Sequence, residues 1–406
     1  MLSADTTASP ADAARLGAQA ASPARVSGWI AVMSLAVGAF ATVTTEFLPI
    51  GVLPLVAASL GVTEGTAGLM VTMPGIVAAI AGPALIVASG RLDRRAVLLV
   101  LSALLVVSNL LAAIAPDLTT MLVARLMLGL CVGGFWTFAP GATAHLVPAD
   151  AQPRAMSYVL AGVSVATVAG VPAGALLANL VGWRASFGVA AGLSALMFIA
   201  QMRLLPPMPP AHATRARDLL KPFTTPRARA ALLTTLFLIA GHFAAYTYLT
   251  PLLQQRYGLS PAVVTTLLLV YGAAGFLGTF VGGRLASRNV LAVALLAALL
   301  VAGVLLFAAT VGGGVVAGAL VALVWGSAFG LIPVAMTTWM QTSLPRDADA
   351  GQAVLVTGFQ VAIASGAFLG GVVVDHQGIP SAMGVAGGLA LVAAVFVAAA
   401  FRPKAG

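Results

Sequence analysis

Only 11 of the 406 residues are acidic. Ten of them sit in tails, polar breaks or the ends of apolar runs: Asp5, Asp12, Glu64, Asp93, Asp117, Asp150, Asp218, Asp347, Asp349 and Asp375. Glu46 differs, because it lies well inside a long apolar run. A carboxyl in such a place is pulled two ways: burial favours the neutral acid and a nearby cation favours the anion. A group held between those pulls can take up a proton and release it again. Arg125 is the basic residue buried to a similar depth in an apolar run, and is the candidate cation. His242, close to Phe243, Tyr246 and Tyr248, is a second candidate for proton chemistry, since imidazole titrates between about pH 5 and 8. A satisfied core position is the favoured reading of it. Phe135, Trp136, Tyr246, Tyr248 and Trp325 offer ring faces on which a flat heterocycle can stack, and Gln360 offers a neutral polar group. Core packing is the competing role for each of them.

These residues need a scaffold, and the composition defines it. About 60% of the chain is hydrophobic and 8% is charged, against roughly 45–50% and 25% in soluble domains. A water-soluble globule and a disordered chain are both excluded. Twelve apolar runs stand out, at about 28–55, 65–88, 97–115, 120–146, 155–180, 186–204, 230–254, 262–282, 290–310, 314–341, 351–373 and 380–401. Each is near the roughly 20 residues that a membrane-spanning helix needs. They are apolar on all faces, without the two-residue alternation of a membrane barrel strand. The organisation expected is a tail (1–27), a six-helix bundle (28–204), a Pro- and Arg-rich linker (205–229), a second six-helix bundle (230–401) and a short tail (402–406).

The formal charge of +9 points to topology rather than to nucleic acid. With the N-terminus inside, all 20 Lys and Arg fall in inside segments except Arg184 and Arg256 outside and Arg125 within a span. That asymmetry predicts that both termini are cytoplasmic. The run from Trp29 is too long for the core of a cleaved signal peptide. Cys131 is alone, so it has no internal disulfide partner, and its apolar setting marks it as a small core residue. With Lys221 and Lys404 the only lysines, no phosphate-binding Gly-x4-Gly-Lys loop exists, and no hydrolase signature is present. No metal, no cofactor and no enzymatic activity are expected.

The halves repeat. At an offset of 193, Gly90, Arg91, Leu92, Arg95, Gly133 and Pro140 fall on Gly283, Arg284, Leu285, Arg288, Gly326 and Pro333. At an offset of 196, Gly162, Gly170, Gly174 and Gly182 fall on Gly358, Gly366, Gly370 and Gly378. Parallel repeats of this kind place a substrate site between the halves near the midplane. Measured from the ends of their runs at about 1.5 Å per residue, Arg125 lies about 8 Å inward and Glu46 about 12 Å. The two depths allow contact.

Four segments resemble the major facilitator superfamily, and the resemblance covers about residues 28–401. The segment from Gly90 to Arg95, with Asp93 and Arg94, is similar to that family's loop motif between helices 2 and 3, one residue shorter before the aspartate and without its second glycine. Arg125 to Gly129 resembles the helix 4 arginine motif. Gly170-Val171-Pro172-Ala173-Gly174 resembles the helix 5 antiporter motif, and Thr45 to Gly51 the helix 1 motif of the drug:proton antiporter branch. Within that branch, Leu128–Trp136, Leu146–Pro148, Gly182–Arg184, Trp325-Gly326 and Leu331–Val334 are most similar to bacterial purine ribonucleoside efflux pumps, with sugar efflux transporters close behind.

The resemblance implies an all-α integral membrane protein with twelve transmembrane helices in two pseudo-symmetric six-helix bundles. It also implies a proton-coupled efflux antiporter for a small organic molecule, monomeric and in a bacterial inner membrane. A proton-coupled uptake symporter on the same fold, a passive channel and a non-transporting receptor are the alternatives. It further implies that Gly90, Asp93, Arg94, Gly170, Pro172 and Gly174 belong to the conformational switch, with Asp93 docking at the N-terminus of helix 11 in the outward-facing form.

Overall fold

The computed structural model describes residues 23–88, 93–208 and 220–401. The tail to residue 22, Gly90, the linker residues 209–219 and the last five residues lie outside that set. Twelve of its helices are long and apolar enough to cross a membrane, and they correspond one for one to the twelve apolar runs. They are α1 (Pro23–Leu60), α2 (Leu69–Ala88, led by a single turn Glu64–Ala67), α3 (Arg94–Ile114), α4 (Leu118–Leu146), α5 (Gln152–Val165, a π turn Ala166–Gly170, then Val171–Val181) and α6 (Trp183–Leu204). The second half holds α7 (Pro226–Tyr246), α8 (Pro261–Ala286), α9 (Val290–Thr310), α10 (Val315–Ser343), α11 (Ala348–Gln377) and α12 (Ile379–Ala400). An even number of spans puts both chain ends on one face, here called the terminal face; the other is the distal face.

Element edges follow local chemistry. Asp117 caps α4 by accepting from Thr120 N at 2.7 Å, and the backbone bond from Thr120 holds its carboxyl below the usual aspartate range. Gly182 and Gly378 take φ of +97° and +83° at the tight α5–α6 and α11–α12 corners, a region that disfavours any residue with a Cβ. Pro172 has no N–H for an i−4 carbonyl, and the helix widens into its π turn just before it. Two edges differ from the sequence reading. Helix α1 begins at Pro23, inside the segment expected to be a tail. The run 230–254 breaks after Tyr246 and continues as the turn Leu249–Pro251 and a π turn Leu252–Arg256.

The repeat extends to contacts. Gly170 and Gly174 of α5 lie against Thr44 and Leu48 of α1; Gly366 and Gly370 of α11 lie against Ala240 and Ala244 of α7. Both members of each pair shift by 196. Gly133 of α4 lies against Ala78 of α2 and Gly326 of α10 against Tyr271 of α8, both shifted by 193. Small residues one turn apart let helix backbones approach closely, so the same stripes build both bundles.

The halves meet from the middle of the bundle to the distal face. Gly75 of α2 packs on Gln360 and Ala364 of α11, and Gly272 of α8 packs on the backbone at Thr167 and Val168 of α5. Further out, Thr250 donates to the Ile50 carbonyl at 2.7 Å and Gln255 to Glu64 at 2.7 Å.

Candidate functional site

Two prolines in α1 prepare the site. In an α-helix the carbonyl of residue i accepts from the N–H of residue i+4. Pro49 has no N–H to give Thr45, and Pro54 has none to give Ile50. Both carbonyls are buried, so each needs an outside donor. Arg125 Nη1 of α4 donates to Thr45 O at 2.8 Å, and Thr250 from the second half supplies Ile50 O. The spacing Thr45–Pro49 was the sequence signal for the Arg125 contact.

Arg125 is buried and lies over the Phe187 ring at 4.8 Å. Its Nε and Nη2 have no protein partner. Asn109 of α3 donates to Thr45 Oγ1 at 3.0 Å and to Ser194 Oγ of α6 at 3.2 Å. Helices α1, α3, α4 and α6 are thereby tied around one turn of α1. Glu46, the next residue, is also buried. Its Oε1 accepts from Gln360 Nε2 of α11 at 3.4 Å, across the junction of the halves. Similar depth therefore brought Glu46 and Arg125 into one neighbourhood. Arg125 spends its hydrogen bond on the backbone beside Glu46, and its guanidinium and the Glu46 carboxylate do not form an ion pair.

The second half holds a different cluster. Trp325 Nε1 of α10 donates to His242 Nδ1 at 3.0 Å, and Tyr271 Oη of α8 lies 3.5 Å from Nε2. An Nδ1 that accepts leaves the proton on Nε2, which is the neutral tautomer. The imidazole stacks on Phe329 with centroids 4.2 Å apart and on Tyr246 at 5.0 Å. Tyr246 in turn stacks on Tyr271 at 4.8 Å. His242 and Trp325 are fully buried. Phe47, beside Glu46, touches Phe243 at the edge of this cage, with centroids 5.5 Å apart. The sequence reading missed Tyr271 and Phe329: Tyr271 stands on α8, which holds no other marked residue, whereas Phe329 lies one turn after Trp325 on α10, and that four-residue spacing was the available clue.

The remaining marked aromatics do not join the cage. Phe135 and Trp136 form an edge-to-face pair at 5.4 Å inside the first half, where Phe135 packs with Leu98, Leu101 and Met208. Tyr248 lies past the break in α7, and its hydroxyl donates to Ala367 O at 3.2 Å near the distal face. The single aromatic cavity expected from sequence is therefore three separate groups, and in this conformation the His242 cage is packed shut.

Among the switch residues, Gly170 and Gly174 with the Pro172 π turn shape the α1–α5 contact within the first half. Arg94 lies against Gly141 of α4. Asp93 is not at the N-terminus of α11. It caps α3, accepting from Arg95 N at 2.8 Å and from Met208 N at 2.9 Å. The start of α11 is held by a Lys221–Asp347 ion pair at 2.5 Å.

Residues 35–351 match the sequence profile of the Major Facilitator Superfamily. The chain is 33% identical over 374 residues to the purine ribonucleoside efflux pump NepI of Salmonella paratyphi B, covering 92% of this chain and 94% of that one. The pump of the same name from Salmonella typhimurium matches to the same extent. Among solved structures, a bacterial homolog of the human lysosomal transporter Spinster superposes with a TM-score of 0.76 at 14% identity, covering 93% of this chain and 97% of that one. The human organic anion transporter MFSD10 superposes with a TM-score of 0.64 at 17% identity, over 93% of this chain and all of that one. At these identities the two structures speak for the fold alone.

Proposed function

Because this chain belongs to the major facilitator superfamily and is a twelve-span membrane transporter, we propose that it is a proton-coupled efflux antiporter exporting a purine nucleoside or a similarly flat, uncharged molecule. The observation that carries the proposal is Glu46: a carboxyl buried mid-bundle on α1 that accepts a hydrogen bond from Gln360 of the opposite half. A carboxyl in such a place costs at least about 2.5–3.5 kcal/mol as an anion on insertion scales. That cost changes when the halves part and water or Arg125 reaches it, so rocking the halves changes its proton affinity. Arg125, fixed to the adjacent carbonyl, supplies the favourable field for the anion.

The terminal face is cytoplasmic in this reading, supported by the placement of Lys and Arg. The conformation with the distal face closed then binds substrate from the cytoplasm, and the outward-facing form takes up the proton from outside. Asp93 leaves its α3 cap and docks on the α11 N-terminus in that outward form, where a helix dipole favours an anion. The substrate class is carried by the likeness to the ribonucleoside pumps together with the ring cluster at Tyr246, Trp325 and Phe329. Its exposed edge, at half-buried Phe47 and Phe329, meets Glu46 where the halves join.

The test uses inside-out membrane vesicles with an acidified lumen and a pH-sensitive dye. Inosine, guanosine, an arabinose-type sugar and a lipophilic cationic drug are added in turn. Purine nucleosides are expected to dissipate the gradient, and Glu46→Gln to abolish that response while still inserting normally. Proton flux that persists unchanged in Glu46→Gln rejects the assignment of Glu46. Flux driven by the sugar or the drug alone rejects the substrate class.

A further inference from the structure

Helices α2 and α11 run antiparallel across the junction of the halves, so each ends beside the other's beginning. Gly75 faces Gln360 and Ala364, and further out Gly65 faces Gly371, backbone against backbone. Each helix also carries an aspartate at or just past its C-terminal end: Asp375 in the last turn of α11 and Asp93 beyond α2. Asp375 is engaged with the other helix. Its Oδ1 accepts from Gly65 N at 2.9 Å and its Oδ2 from Thr63 Oγ1 at 2.6 Å, at the turn that leads into α2. Asp93 is at that moment turned back on its own half, capping α3.

We propose that Asp375 is a positioning residue for transport: the carboxylate that latches the distal face shut, alternating with Asp93 at the opposite ends of the same helix pair. The Asp375 latch stands on its own geometry, and the alternation rests on the Asp93 docking proposed above. Both partners are built to let go. Thr63 Oγ1 also accepts from Thr66 N at 3.1 Å, so the turn before α2 keeps a cap of its own when Asp375 departs. Likewise α3 supplies Asp93 with a resting partner in Arg95 N. Each exchange trades one set of hydrogen bonds for another, which keeps the two conformations close in energy. Thr250 on Ile50 O and Gln255 on Glu64 must part in the same movement. A cleft of about 380 Å³ lined by Glu64, Gln255, Arg256 and Asp375 opens beside the latch.

The test reads opening of the distal face through Val71→Cys, a site 2% exposed and packed on the second half, in a Cys131→Ala background. Labelling by a membrane-impermeant maleimide is followed in right-side-out and inside-out vesicles at one pH without substrate, so the outcome does not depend on Glu46. Asp375→Asn is expected to raise the labelling rate about fivefold, the scale of losing one side-chain cap. Thr63→Val raises it in the same direction and Thr63→Ser restores the parent rate, which keeps the test valid if Asp375→Asn folds poorly. Asp93→Asn lowers it. Unchanged labelling in both Asp375→Asn and Thr63→Val overturns the latch. An equal rise in Asp375→Asn and Asp93→Asn reveals general loosening and also overturns it. A rise confined to inside-out vesicles supports the latch and overturns the membrane orientation instead.

Discussion

In the first half, α1, α3, α4 and α6 enclose hydrogen-bonding side chains: Thr45, Asn109, Arg125 and Ser194, and about two turns along, Ser102 and Gln201, joined at 2.5 Å. In the second half, α7, α8 and α10 enclose rings around one neutral histidine. Yet the same glycine stripes, shifted by 193 or 196 residues, set the helix crossings in both. The stripes fix the backbone and leave the interior free to differ. Among the described residues, the buried charges Glu46 and Arg125 lie in the half whose first helix has a proline-freed carbonyl to receive Arg125, and the stacked ring cluster lies in the other. Glu46 and Phe47 sit where the two meet, so the rocking proposed above would change the surroundings of both.

The largest effect is expected at Arg125. Arg125→Met leaves Thr45 O without a donor, at about 1–3 kcal/mol for an orphaned buried acceptor, and removes the cation beside Glu46. The expected result is a lower melting temperature in detergent together with loss of proton-driven transport. Arg125→Lys keeps the charge without the planar fork and is expected to recover the fold better than the activity. A variant indistinguishable from the parent in both assays would mean that the polar half does not depend on its cation.

The paired glycines of the two halves differ in what surrounds them. A Cβ on Gly370 meets the backbone at Ala244, which cannot move aside, whereas a Cβ on Gly174 meets only the Leu48 side chain. Gly370→Ala is expected to cost about 1–3 kcal/mol as an overpacked contact. Gly174→Ala is expected to be nearly neutral, because Leu48 can change rotamer and alanine favours the helix by up to about 1 kcal/mol. Thermal melts of the two variants decide it, and equal losses would show that the two stripes are equally rigid.

Much of this was legible in the residues. Twelve apolar runs became twelve helices because a span must satisfy its own backbone in lipid, and a run of about 20 such residues has few other solutions. Glu46 and Arg125 were visible because charge inside a span is rare. Their actual connection was harder to read, since it passes through a carbonyl freed by Pro49 and not through an ion pair. The aromatic group was mis-assembled for a different reason. Phe135, Trp136, Tyr248 and the true cage members are alike in type, and only the packing sorts them: Phe135 and Trp136 pack inside the first half, and Tyr248 lies past the break in α7. Asp375 looked like an ordinary span end because its partner, Gly65, is 310 residues away in sequence.

The finest test of the division between halves is Trp325→Phe. It keeps a ring against Tyr271 and Tyr246 but removes the N–H that His242 Nδ1 accepts. Within membranes such a side-chain bond is worth about 0.6 kcal/mol on average and at most about 1.7, so folding and insertion should be almost untouched. The imidazole is freed to change tautomer or turn, and the cage loses its fixed pattern of donors. If recognition resides in this half and proton coupling in the other, substrate affinity falls severalfold while the pH midpoint of transport stays with the parent. Glu46→Gln, run beside it, should show the reverse: binding retained and the pH dependence gone. A shifted pH midpoint in Trp325→Phe would place His242 within the proton path, and the proposed division of proton coupling and recognition between the halves would then fail.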